Sequence, residues 1–211
     1  MLEITNLACS RGDRQLFEGL NFSLEPGSLL YVEGRNGTGK STLLRTICGL
    51  FLADGGEILW NGENTQSLAE DYTKEVVYLG HHNGIKDDLT GLENLRISTV
   101  LDGDDVTEGQ IWDALKKMGL KGFEDLPTKV LSQGQKRRVA LARLLLNSSK
   151  LWILDEPFTA LDVAAVDLLQ SVIAEHINSG GMVVLTTHQE VALTSGQIQR
   201  LELGKKKKKN V

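Results

Sequence analysis

Four short stretches carry residue types suited to phosphate chemistry. "GRNGTGKST" fits G-x-x-x-x-G-K-[ST] from Gly34 to Ser41, directly after an apolar run and directly before a helical pattern. Gly34, Gly37 and Gly39 permit a tight turn whose backbone N–H groups approach phosphate oxygens. Asn36 and Thr42 belong to the same nucleotide-contacting stretch, Lys40 reaches the β- and γ-phosphates, and Ser41 is suited to ligate Mg²⁺. "LWILDEP" ends an apolar run in two carboxylates, Asp155 to hold Mg²⁺ through water and Glu156 to orient and deprotonate an attacking water. "TTHQ" places His188 after another apolar run, where an imidazole can hydrogen-bond a γ-phosphate. The fourth stretch, "LSQGQKRRVALARLLL" over residues 131–146, begins as a polar turn and becomes a basic helix. Ser132, Gln133 and Gly134 offer backbone N–H groups at a helix start, where the dipole is positive, so this turn is also built for an anion.

The elements that must carry these residues are legible from periodicity. "EVVYLG", "LWILDE" and "MVVLTTH" are continuous apolar runs of the kind buried on both faces of a parallel sheet, and in such sheets ligands bind beyond the carboxyl ends of the strands. Shorter β-type runs, "LEITNL", "NFSLE", "SLLYVEG" and "GEILW", fill the first sixty residues. Turn signals at Gly12-Asp13, Pro26-Gly27, Gly55-Gly56 and Asn61-Gly62 separate them. Helical patterns follow Lys40, run from about Val106 to Gly119, and cover 133–147 and 162–178. In the last, Val163, Val166, Leu169, Val172, Ile173 and Ile177 make one stripe.

Composition narrows the classes. The chain has 211 residues, 41% hydrophobic and 24% charged, as expected for a globular protein with one sizeable core. A net charge of −5 with only two short basic clusters gives no electrostatic footprint for nucleic acid, which is not expected as a partner. No apolar run approaches membrane-spanning length, and "MLEITNLACS" lacks the regions of a signal peptide. Cys9 and Cys48 have no metal-ligand spacing and read as reduced, buried thiols.

In order, "GRNGTGKST", "LSQGQ", "LWILDEP", "TALD" and "TTHQ" resemble the Walker A, signature, Walker B, D-loop and H-loop motifs of an ABC-transporter ATPase. The resemblance covers nearly the whole chain. It implies an α/β P-loop NTPase fold with a mostly parallel core sheet, an N-terminal antiparallel β region and a helical subdomain. The expected layout is one ATPase domain over 1–211, with the helical segment at approximately 84–140 inserted in the α/β core. The cofactors implied are ATP and Mg²⁺. Lys40, Glu156 and His188 are the catalytic candidates, and Ser41 and Asp155 the metal ligands. The implied partner is a second copy of the chain in a nucleotide-sandwich dimer, where Ser132, Gly134 and Gln135 of one copy meet the nucleotide held by the other. Asp162 in "TALD" would cross the same interface, or act as a plain N-cap.

A finer resemblance, carried by "YLGHHNGIKDDLTGLENL", "GFEDLPTKVLSQGQKRRVALARLLL", "LWILDEPFTALDV" and "VVLTTHQE", is to the ATP-binding subunits of the cytochrome c maturation heme exporters of Gram-negative bacteria. It implies integral-membrane partner subunits, an indirect link to a periplasmic heme chaperone, and a peripheral place on the cytoplasmic face of the inner membrane. Two positions depart from the general ABC pattern. His81, with His82 beside it, stands where most relatives carry a glutamine contacting Mg²⁺ and the water, which introduces a titratable group. Arg11 stands where an aromatic side chain usually stacks on adenine; a guanidinium plane can stack there, and a plain turn arginine is the alternative. Leu89, Leu92 and Leu95 either line a docking groove for a membrane subunit or form the core of the insertion. Lys136, Arg137 and Arg138 either balance nucleotide charge or form a solvated helix face. Lys205 to Lys209 read as a solubilising terminus, with attraction to an anionic leaflet as the alternative. The rivals are an ABC ATPase with another transported substrate and a non-transport ABC module acting on nucleic acid or the ribosome. The second would usually need paired ATPase domains or a long coiled coil. A P-loop kinase would leave "LSQGQ" without a task.

Overall fold

The computed structural model describes residues 1–188, 193 and 195–204. Gln189 of "TTHQ" and the lysines Lys205 to Lys209 lie outside these residues.

β1 (Leu2–Arg11) and β2 (Arg14–Leu24) form an antiparallel hairpin closed at Gly12-Asp13, with Gly12 at φ 59. Both strands run further than the alternation in the sequence indicates, because register shifts along β1 break the period of two. β3 (Ser28–Glu33) leads into α1 (Lys40–Ile47). β4 (Gly55–Trp60) and β5 (Glu63–Asn64) meet at Asn61-Gly62, whose φ values of 53 and 85 suit a tight hairpin turn. Gly55-Gly56, expected as a turn, instead begins β4. At φ 81, Gly56 passes so close to β1 that an added Cβ would lie 2.4 Å from the Asn6 carbonyl oxygen.

Two short helices, α2 (Thr65–Leu68) and α3 (Glu70–Lys74), precede β6 (Val76–Leu79). The chain is then helical up to the next sheet strand: α4 (Gly91–Asp102), α5 (Glu108–Lys117) and α6 (Gln133–Ala142), the last followed by one 3₁₀ turn. β7 (Leu151–Asp155), α7 (Val163–Asn178), β8 (Met182–Thr186) and β9 (Gln197–Glu202) complete it. Among the described residues no helix is long and apolar enough to cross a membrane.

Strands β2-β1-β4-β5 make an antiparallel sheet, and β6-β7-β8-β3-β9 a second whose pairings are all parallel. Period-two alternation explains how the second sheet is sandwiched. Leu29, Tyr31, Trp152, Leu154, Val183 and Leu185 pack on one face against α7 and the helices between β6 and β7. Leu30, Val32, Leu151, Ile153, Met182 and Val184 pack on the other against α1 and the antiparallel sheet. Each fully buried aliphatic side chain contributes about 1.5–3 kcal/mol, so both faces hold the strand ends rigidly. Leu95 is buried and Leu92 packs beside it in the first of these clusters, with Ile111, Leu115 and Val139. These two leucines are therefore core. The stripe expected on α7 holds except at Val163, which is 78% exposed in the first turn. Cys9 and Cys48 are free and buried.

Candidate active site

Parallel strands end at one edge of their sheet, so the loops after β3, β6, β7 and β8 bring Gly34, His81, Glu156 and His188 to the same side. A cleft of about 470 Å³ opens there. Asn36, Gly37, Gly39, Lys40, Ser41 and Thr42 form its floor; Glu156 and His81 close one side, and Arg11, Arg14 and Leu16 of the β1–β2 hairpin stand at the other. His81, rather than His82, lines it. Gly34 lies at the root of the loop, where its carbonyl accepts a 2.7 Å hydrogen bond from the Lys40 ammonium.

Helix α1 starts without a side-chain cap, at Gly39 with φ 101. A Cβ at Gly39 would lie 3.0 Å from that of Leu16, so a larger residue would be strained in its backbone and crowded against Leu16. Uncapped first-turn N–H groups and the positive end of the helix dipole suit a phosphate.

Asp155 is 3% exposed, and its Oδ1 accepts a 2.7 Å hydrogen bond from the Thr186 hydroxyl. The same hydroxyl accepts the Glu156 backbone N–H at 2.9 Å. Thr186 thus ties β8 to both carboxylate residues at the end of β7. Glu156 sits at φ 51, in the left-handed region. Its Oε1 is 3.3 Å from His188 Nε2, and its Oε2 is 4.0 Å from His81 Nδ1 and 3.5 Å from the Thr159 hydroxyl. A carboxylate flanked by two imidazoles at a phosphate cradle can accept a proton from water while the imidazoles hold neighbouring oxygens.

The donor set also suits Mg²⁺. This ion usually takes one or two protein oxygens and completes its shell with phosphate and water. The Ser41 hydroxyl lines the cleft, and Asp155 offers a buried hard carboxylate next to Glu156. Among the described residues no cluster of three or more acidic, His or Cys side chains offers a dedicated metal cage.

The other anion turn lies apart. The lining of the cleft includes none of Ser132, Gly134, Gln135 or Asp162. Ser132 and Gln135 form a reciprocal capping box: the Ser132 hydroxyl accepts the Gln135 N–H at 3.2 Å, and Gln135 Oε1 accepts the Ser132 N–H at 2.9 Å. The Ser132 N–H is therefore occupied, contrary to expectation, and Gln133 and Gly134 supply the N–H groups of this turn outside the box. A Cβ on Gly134 would lie 2.8 Å from the Ala160 carbonyl oxygen. Asp162 caps α7 through Ala165 N–H at 2.9 Å and pairs with Arg138.

Sequence reading missed three residues. Arg14 pairs with Arg11 across the hairpin, and only its proximity to Arg11 could have drawn attention to it. Thr186 was the first threonine of "TTHQ". Arg137, read with its basic neighbours as charge-balancing or solvated, is buried at 4% exposure, and Lys136 pairs with Asp87 at 2.6 Å. A signal for Arg137 existed: it precedes the buried Ala140, Leu141 and Leu144 by three, four and seven residues, on one helical stripe.

The family model described as ABC transporter matches residues 17–159. The chain is 55% identical over 203 residues to the cytochrome c biogenesis ATP-binding export protein CcmA of Nitrosomonas europaea, across 96% of this chain and 95% of the relative. It is 56% identical over 202 residues to the protein of the same name from Nitrosospira multiformis, across 96% and 98%. Among solved structures, an ABC transporter ATP-binding protein from Pyrococcus furiosus is similar with a TM-score of 0.82 and 27% identity, across 95% and 96% of the two chains.

Proposed function

The chain belongs to the ABC transporter family of ATP-binding proteins, and on that premise we propose that it is the ATP-hydrolysing subunit of a membrane complex serving cytochrome c biogenesis. For the chemistry, the observation that carries the reading is the Glu156 carboxylate, held between His188 and His81 at a cleft floored by Lys40 and Ser41. Lys40 and the open start of α1 bind the β- and γ-phosphates. Glu156 takes a proton from the water whose oxygen attacks the γ-phosphorus, the bond to the β–γ bridging oxygen breaks, and ADP leaves with that electron pair. His188 steadies the γ-phosphate, and His81 contacts the water side of the site. Ser41 and Asp155 would hold Mg²⁺, which when bound would supply neutralisation of phosphate charge. Arg11 stacks on the base from the hairpin.

Ser132, Gly134, Gln135 and Asp162 serve a second copy of the chain, which is why they stand off this copy's cleft. Within the single ATPase domain, the helical segment of 84–140 acts as the subdomain presenting this turn. Its membrane partners have a landing site of mixed character to use: the exposed Leu50, Val100 and Leu101 line a cleft of about 450 Å³ beside α4 together with the charged Glu70, Lys74, Asp102 and Arg143. For the pathway, support comes from more than half identity to relatives named for cytochrome c biogenesis, over nearly the full length of both chains. Peripheral attachment at the inner membrane and an indirect link to a periplasmic heme chaperone follow from that pathway.

The test replaces the native gene with the Glu156→Gln form and measures covalent heme in periplasmic c-type cytochromes, with b-type cytochromes as control. Loss of c-type signal alone is expected; normal c-type cytochromes would discard the pathway.

A further inference from the structure

Arg137 is the most deeply placed cation near the site described above, and each of its five N–H donors has an acceptor in reach. Nε donates to the Pro157 carbonyl at 3.3 Å. One terminal nitrogen donates to the Gly80 carbonyl at 3.1 Å and to Asn83 Oδ1 at 3.2 Å. The other donates to the carbonyls of Asp155 at 3.3 Å and Glu156 at 2.9 Å. A guanidinium has five donors and no acceptor, so this set uses it fully. Three consecutive carbonyls, 155 to 157, converge on one side chain, and the residue in the middle is the one with left-handed backbone. An L-residue with a Cβ adopts that conformation at a steric cost and keeps it only where surrounding contacts over-determine it.

The same guanidinium holds the loop that carries His81. Gly80 precedes that histidine by one residue and Asn83 follows it by two, so both sides of the loop are tied to the turn carrying Glu156. Two ion pairs continue the attachment along the chain, Lys136 with Asp87 at 2.6 Å and Lys129 with Asp88 at 3.0 Å. Those two involve exposed carboxylates, whereas Arg137 is buried.

We propose that Arg137 is a positioning residue for ATP hydrolysis: its guanidinium fixes the 155–157 turn and the 80–83 loop in one frame, so that the Glu156 carboxylate and His81 face the same cleft. This rests on the reading of Glu156 as the carboxylate that takes the water's proton. Because Arg137 lies on α6, five residues after the N-cap Ser132, the frame is also anchored to the helix that the Ser132 turn begins. Lysine is a poor replacement, since it has three donors on a single nitrogen and gives up its proton more readily when buried.

The experiment compares wild type, Arg137→Gln, Arg137→Lys, Glu156→Gln and the Glu156→Gln/Arg137→Gln double variant. Each is assayed at a temperature where its thermal melt shows it folded, for kcat, KM and ATP Kd. In Arg137→Gln, kcat per folded molecule is expected to fall roughly ten- to a hundred-fold with KM and Kd unchanged, and Arg137→Lys should fall less. The double variant should turn over no more slowly than Glu156→Gln alone, because the carboxylate being positioned is already gone. If Arg137→Gln fails to fold, Arg137→Lys decides on the same terms. A folded variant with wild-type kcat and only a lower melting temperature would overturn the proposal, as would loss of kcat and nucleotide affinity in parallel. Wild-type turnover in Glu156→Gln would remove the hydrolytic reading itself, a result separable from an effect confined to the Arg137 variants.

Discussion

Helices α1 and α6 both begin after a small, glycine-containing polar turn, and both starts were read from sequence as anion receptors. They are finished in opposite ways. At α1 the cap position is Gly39 in a left-handed conformation with no side-chain bond, and the turn floors the cleft that holds Lys40 and Ser41. At α6, Ser132 and Gln135 close a capping box on each other, and the turn stands off the cleft. The first start has no side-chain cap, as the proposed phosphate binding requires. The second is stiffened by its own side chains, which suits the contact with a second copy proposed for it.

The sharpest way to break this contrast is Lys40→Ala. It removes the cation of the open start and is expected to abolish detectable ATP binding in a fluorescent-nucleotide titration; retained affinity would put the phosphates elsewhere. Next is Thr186→Val, which keeps shape but strips the hydroxyl shared by Asp155 and the Glu156 N–H. Leaving such buried groups unpaired costs about 1–3 kcal/mol, measurable by urea unfolding, and kcat should fall with it. Ser132→Ala opens the capped start. It should cost about 1 kcal/mol of stability while leaving nucleotide binding to the isolated chain unchanged. Loss of binding in the isolated chain would mean that the second turn serves its own cleft.

The smallest effect lies away from both helices. His176 stacks on Trp152 with ring centroids 3.7 Å apart, and burial pulls its pKa below the ordinary 6.5 even though it sits in the last turn of α7, where the helix dipole favours a cation. The neutral form is the folded one. Between its lowered pKa and 6.5 the unfolded chain binds more protons, so stability is full above pH 6.5 and declines as pH falls through that window. Urea midpoints should therefore drop on acidification in wild type and drop less in His176→Gln; equal slopes would assign the loss to other groups.

Much of this architecture is written locally. The apolar runs of β7 and β8 need no partner to be recognised, and the carboxylates and histidine that follow them inherit their position from the strand ends. The α1 start is equally local, since its glycines and lysine follow one another. What could not be read depends on distant segments. Arg137 looks solvated among Lys136 and Arg138 because its acceptors, Gly80, Asn83 and residues 155–157, come from two other loops. Gly56 looks like a turn because the close approach that requires it comes from β1. β9 escaped notice because its alternating pattern of exposed and half-buried residues carries no long apolar run.

The central claim, that this cleft hydrolyses ATP through Glu156, is tested most directly by measuring steady-state ATP turnover and ATP affinity in wild type and Glu156→Gln side by side. A fall in turnover of at least about 100-fold with unchanged Kd is the expected result. Turnover at the wild-type rate would contradict it.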